Sequence, residues 1–185
     1  MIEQDRQKNP WRKLNAREVY RNPWMGVIEE KVIRPDGTPG IYAYMDCFPA
    51  VGIIPIIEEK QTCLVGQYRY PIDQYSWEIP TGMGTSEETT EETAKRELRE
   101  ETGLIVAEVT LLGHFHTSNS LTNEVATLYF GHVTEKGQAQ LDATEQIETR
   151  IVSLQSAFGM IDNGGITDGM SIVALNWLRR RHDRL

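Results

Sequence analysis

Cysteine is nearly absent from this chain, with Cys47 and Cys63 the only two among 185 residues. Two thiols supply no disulfide framework and match no zinc-type pairing, so reduced cysteines in a cytoplasmic protein are the expectation. Long apolar runs are missing as well. The longest, VGIIPII at 51–57, is interrupted by Pro55 and far too short to span a bilayer, so no membrane association is expected. The opening MIEQDRQKNP is polar and carries no apolar core, which argues against a signal peptide. Positive charge is also in deficit, with 19 Lys and Arg against 27 Asp and Glu and a formal net charge of −8. That balance argues against a non-specific nucleic-acid binder, whose footprint would be basic. It does not exclude an anionic ligand, because a bound divalent ion can invert the local charge.

What is present reads as an α+β protein long enough to bury one proper core. Residues 1–15 are polar and expected to be loosely held. Strand patterns begin at Val19: β-branched residues at 27–34, a PDG turn at 35–37 and an extended stretch at 41–45 form a hairpin or meander. We assign residues 1–45 to this β segment and 46–185 to the main domain. Within the latter, 51–57 reads as a buried strand with 62–70 as its hairpin partner, and SWEIP at 76–80 as a short strand. Residues 104–117 and 123–133 form a further strand pair through the loop SNSLT. A strand at 146–154, a short helix at 153–162 and a last helix capped by Thr167 or Asp168 complete the chain. The cations of the closing RRRH sit where that helix's dipole favours them.

Between these strands lies GMGTSEETTEETAKRELREETGL, residues 82–104. Thr85 with Glu88 three residues on fits a capping box, and Gly103 stands where a left-handed stop is wanted, so a helix is expected between them. At about 100° per residue, Glu101 falls roughly 40° from Glu97 and Glu100 roughly 60° to the other side. Three carboxylates therefore share one arc, with Lys95, Arg96 and Arg99 expected towards the opposite side and Ala94 and Leu98 forming an apolar seam. An i, i+4 pair of like charges costs stability, so this face wants a cation. A hard divalent ion held by carboxylates, water and substrate phosphates would supply it. On helix geometry alone a plain solvated face of charges is the more ordinary reading, because glutamate-rich helices are common.

The segment resembles the signature of the Nudix hydrolases: a glycine, five residues, a glutamate, seven residues, then REUXEEXGU with U aliphatic. Gly82, Glu88, Arg96-Glu97-Leu98, Glu100-Glu101 and Gly103-Leu104 match it throughout. The resemblance implies a Nudix fold, a mixed β-sheet in an α/β/α sandwich, with the N-terminal antiparallel strands as an extension. It implies Mg²⁺ or Mn²⁺ held by Glu97 and Glu101, with Glu100 as a further ligand or a base. A backbone carbonyl of Thr81 or Gly82 would complete the set, Arg96 would orient a carboxylate, and Glu88 would serve the helix start.

QYRYP at 67–71, SWEIPTG at 76–82 and the N-terminal β segment look like the branch that hydrolyses ADP-ribose and nucleoside diphosphate sugars. For this branch a homodimer with exchanged N-terminal strands is implied, along with a small-molecule nucleoside diphosphate substrate. The products would be a nucleoside monophosphate and a sugar phosphate. Arg69 matches the position that contacts phosphate or the distal sugar, Glu78 a site acid, and Glu124 a contact to metal or water; a surface arginine and solvated strand-edge glutamates are the plain alternatives. The general base implied is Glu145, on a loop before the penultimate strand, with Glu148 the other choice; such a loop can close once substrate is bound. One departure stands out. Where ADP-ribose hydrolases commonly carry a Ser-Pro-Gly loop, this chain has Ser118-Asn119-Ser120, which weakens strict ADP-ribose selectivity. A catalytically silent nucleotide-binding regulator, or a Nudix pyrophosphatase for dinucleotides or nucleoside triphosphates, are the other functions compatible with the box.

Elsewhere, His114 and His116 could share a strand face as a zinc pair would, but no further ligands stand at suitable spacing. Trp24, Tyr42, Tyr44, Phe48 and Tyr70 are expected mostly in the core or at the dimer interface.

Overall fold

A computed structural model describes residues 8–141 and 146–182. Its elements fall into two compact units, one holding the first three strands with residues 118–124, the other the remaining elements.

In the first unit, β1 (Arg12–Arg21), β2 (Met25–Ile33) and β3 (Pro39–Cys47) form an antiparallel meander in the order β1-β2-β3. The polar start is thus ordered earlier than its composition suggests: Arg12 already pairs with Ile33. Cross-strand ion pairs Arg17–Glu29 and Lys13–Glu30 replace the hydrophobic pairs that would have signalled a strand. The 118–124 loop lies alongside β3, where Met45 N–H donates to Leu121 O at 2.8 Å and Cys47 N–H to the Asn123 side chain at 2.9 Å. The aromatic residues of this region are not core residues of the chain, as Trp24 is 65% exposed and Val32 is the one hydrophobic side chain of the meander buried below a tenth, among the described residues.

In the second unit, β4 (Ala50–Ile56) is central. It pairs antiparallel with β7 (Thr81–Met83) and parallel with β10 (Val125–Lys136), which in turn takes β8 (Leu104–Val106) and β9 (Thr110–His116). β5 (Gln61–Arg69) is therefore not the hairpin partner of β4. It pairs with β6 (Gln74–Glu78) and β11 (Glu148–Ser153) in a separate three-stranded sheet, and only a single bridge, Ile57 to Gln61, joins the turn. Glu58 and Glu59 both take positive φ there, which swings the chain from one sheet to the other. The expected strand at 104–117 is likewise two strands broken at 107–109.

Alternation along β4 explains the layers. Val51 and Ile53 face Ala94 and Leu98 of α1 (Thr90–Thr102). Ile54 and Ile56 face Phe158 of α2 (Leu154–Asp162) and Leu175 and Leu178 of α3 (Gly169–His182). The sheet is buried on both sides, an α/β/α sandwich with a mixed sheet at its centre. Among the described residues no helix is long and apolar enough to cross a membrane.

Gly103 ends α1 with φ of +73°. A Cβ there would lie 2.6 Å from Gly137 O and 2.9 Å from Ala139 N, both backbone atoms that cannot step aside. Gly103→Ala is expected to cost roughly 1–3 kcal/mol from backbone strain, read as a lowered urea midpoint at unchanged m-value.

Candidate active site

The helix carrying the carboxylates starts at Thr89, not Thr85. Thr89 Oγ1 accepts from Glu92 N–H at 3.2 Å while Glu92 accepts from Thr89 N–H at 2.8 Å, a complete capping box. Thr85 instead accepts from Glu87 N–H in the preceding loop. Glu88 was free to cap only on paper. Both its oxygens take the Arg96 guanidinium, at 3.0 and 3.2 Å from Nε, and this contact holds the Glu88 carboxyl below the usual carboxylate range.

Arg96 also departs from its expected side. Its Nη1 donates to Glu97 Oε1 at 2.8 Å and to Glu100 Oε2 at 3.0 Å. It stands one turn before Glu100, about 40° away in projection, and its long stem reaches across the acidic arc. One guanidinium thus gathers Glu88, Glu97 and Glu100, and those acids push its own pKa up. Charge on this face is focused rather than segregated.

The strand facing the arc is β7. The Glu97 carboxylate is set so close to the Gly82 backbone that a Cβ there would lie 1.9 Å from Glu97 Cδ. Glu101 is 4% exposed, and its Oε2 accepts from Thr81 N–H at 3.3 Å. Glu97, Glu100, Glu101, Thr81 and Gly82 are therefore brought together, with Arg96 among them. Like-charged carboxylates at i, i+4 persist because main chain and guanidinium surround them.

Arg69 and Glu78 meet each other on β5 and β6. Arg69 Nε donates to Glu78 Oε1 at 2.9 Å and Nη2 donates to Oε2, a bidentate pair in which Glu78 is 2% exposed. Bonding to Glu78 holds the guanidinium above its ordinary range against the opposing effect of burial, with smaller contributions from Asp168 and Glu101. The pair lines a cavity of about 270 Å³ with Ser76, Ile72, Thr167 and Asp168. From sequence the last two are expected only as helix caps, and no local motif marks them as lining residues.

Three other residues stand differently. Glu124 belongs to the unit of the N-terminal strands, half-buried, its N–H donating to Thr122 Oγ1 at 3.0 Å. Glu145 lies outside the described residues. Glu148 opens β11 and accepts from Tyr75 O–H at 3.0 Å.

A NUDIX domain model matches residues 48–169, and a model described as the nucleoside diphosphate sugar hydrolase N-terminal domain matches residues 11–45. The chain belongs to the Nudix hydrolase family. Among its Nudix relatives is an ADP-ribose pyrophosphatase of Bacillus subtilis, 29% identical over 165 residues, which span 88% of this chain and 89% of the relative. A methanol dehydrogenase activator of Bacillus methanolicus is 33% identical over 132 residues, covering 70% and 71%. The crystal structure of an ADP compounds hydrolase superposes with a TM-score of 0.79 over 92% of both chains at 20% identity, which establishes the shared fold.

Nudix hydrolases generally use divalent metals. Among the described residues no three acidic, imidazole or thiol side chains stand together as an ion cage, and Arg96 holds Glu97 and Glu100. The donor chemistry nevertheless fits a hard ion. It consists of carboxylate oxygens one turn apart beside a glycine whose lack of a side chain admits Glu97 to the main chain.

Proposed function

We propose that the chain hydrolyses the pyrophosphate bond of ADP-ribose or a related nucleoside diphosphate sugar, with Mg²⁺ or Mn²⁺ as the metal. Water adds to one phosphorus, the bridging P–O bond breaks, and a nucleoside monophosphate and a sugar phosphate leave. The observation that carries this reading is the close setting of Glu97 against Gly82, with Glu101 beside Thr81, in a box matched at every signature position. The matched N-terminal model and the names of the relatives support a nucleoside diphosphate compound as substrate.

Glu97, Glu100 and Glu101, with the Thr81 or Gly82 carbonyl, would hold the metal. Bound there, it would neutralise phosphate charge and polarise a phosphoryl oxygen. Arg96 keeps Glu97 and Glu100 aimed at one region. Arg69 would take a phosphate or the distal sugar, with Glu78 fixing its plane, since a bidentate partner leaves the guanidinium little freedom. Glu124 is assigned to metal or water contacts. Glu145 would receive the proton of the attacking water, and the hydrogen bond from Tyr75 engages the alternative, Glu148.

We assign the first 45 residues to dimerisation by strand exchange in a cytoplasmic homodimer. Its support is an apolar surface the meander leaves open: Leu14, Val19, Tyr20, Trp24 and Ile41 are all more than half exposed.

A second reading, a nucleotide-binding regulator without turnover, draws on the relative named as an activator. One assay separates the two. ADP-ribose, GDP-mannose, ADP-glucose and a dinucleotide are incubated with protein and Mg²⁺, and the products are separated. Monophosphate and sugar phosphate should appear from ADP-ribose or one of the sugar nucleotides and vanish with EDTA. Binding by calorimetry with no cleavage of any of the four would favour the regulator and sink the hydrolase.

A further inference from the structure

We propose that Ser171 is a positioning residue for the carboxylate face. Its hydroxyl, on the first turn of α3, fixes the main chain of residues 79–82 against which Glu97 and Glu101 are set. The proposal rests on the reading of that face as a metal site.

Asp168 caps α3, its Oδ2 accepting from Ser171 N–H at 2.8 Å. That bond caps one of the unpaired N–H groups of the first turn, and alanine at 171 would keep it equally. The Ser171 hydroxyl does something else. It donates to the same Asp168 oxygen at 2.7 Å, and with its proton so committed its oxygen accepts from Ile79 N–H at 2.9 Å. Ser171 and Ile79 are both fully buried, so no water can replace this acceptor.

Ile79 follows Glu78, the last residue of β6, and only Pro80 separates it from β7. The connection is pinned from three sides: Ile79 N–H to Ser171 on α3, Pro80 O to Ile53 N–H on β4 at 3.0 Å, and Thr81 N–H to Glu101 on α1 at 3.3 Å. The next residue is Gly82, whose backbone touches the Glu97 carboxylate. A shift of this connection therefore moves the main chain that faces both glutamates. Asp168 also lines the cavity beside Arg69 and Glu78, so the same cap borders the end of the connection that follows Glu78.

The test is Mn²⁺ binding to the full-length protein by calorimetry without substrate, which reads the site apart from turnover. Ser171→Ala removes the acceptor. Ser171→Cys nearly preserves volume while offering only a weak acceptor, and so serves if the alanine variant folds poorly. Both should weaken Mn²⁺ binding on the order of 10–100-fold, as loss of supporting contacts around metal ligands does. Leu178→Ala, a buried change two turns beyond Ser171 on the same helix, should lower Tm yet leave Mn²⁺ affinity within about twofold, the scatter of well-separated sites. Glu101→Gln provides the separating arm and should weaken binding at least as much as the serine variants. If Glu101→Gln weakens Mn²⁺ binding while Ser171→Ala and Ser171→Cys bind like the wild type, the positioning role is overturned and the metal face stands. If Leu178→Ala weakens binding as much as the serine variants, Ser171 serves stability only. If wild type and Glu101→Gln bind alike, the metal-face reading falls and this proposal with it.

Discussion

Glu101→Gln should lower kcat for ADP-ribose hydrolysis roughly 10³-fold, about 4 kcal/mol of lost transition-state stabilisation, and leave the fold in place. Glutamine keeps the shape and the oxygen that accepts from Thr81 N–H. What it removes is a negative charge from a site that is 4% exposed, where solvent screens little. Metal-free stability should hold or rise, because Glu97 and Glu101 are like charges one turn apart. Steady-state kinetics over a Mg²⁺ series, with a thermal melt in EDTA, checks both halves. A variant with native turnover would remove Glu101 from the metal site, whereas a variant that melts far earlier would mean that its charge supports the fold.

The second large effect is expected at Gly82. An alanine methyl there would lie 1.9 Å from Glu97 Cδ and 2.1 Å from Oε1. Those atoms are the far end of a flexible side chain, so the protein can fold by turning Glu97 away. The change therefore falls on function more than on stability. Gly82→Ala should weaken metal binding and turnover on the order of 10–100-fold with only a small change in Tm. Combining it with Glu97→Gln checks the cause. If the methyl acts by displacing Glu97, the double variant loses little more than Glu97→Gln alone, because residues in contact are not additive. Full additivity would place the effect of Gly82 elsewhere.

Much of this site could be read from sequence because its logic is local. The spacing of Glu97, Glu100 and Glu101 fixes their shared arc, and Gly103 takes the left-handed stop it was expected to take. Competition between local choices was harder to see. Thr85-x-x-Glu88 and Thr89-x-x-Glu92 are both capping boxes on paper; Arg96 decides between them by taking Glu88, and that leaves Glu92 for the cap. Arg96 reaches the acidic side because it stands i, i+4 to Glu100, a relation the sequence itself contains.

Long-range pairing was illegible for a different reason. β4 and β5 are joined by a turn that looks like a hairpin, yet β4 takes its parallel partner from β10, more than 70 residues on. β1 carries charged cross-strand pairs instead of apolar alternation, so its pattern resembled a loose terminus. The bond from Ile79 to Ser171 spans 92 residues and belongs to no motif. Only the fold brings those two groups together.

The most direct measurement is a crystal structure with Mg²⁺ and a non-hydrolysable ADP-ribose analogue. Metal density bounded by Glu97, Glu101 and the Thr81–Gly82 main chain, touching the diphosphate, is the expected result. Diphosphate bound elsewhere, with the α1 carboxylates still held by Arg96 and no metal between them, would contradict it.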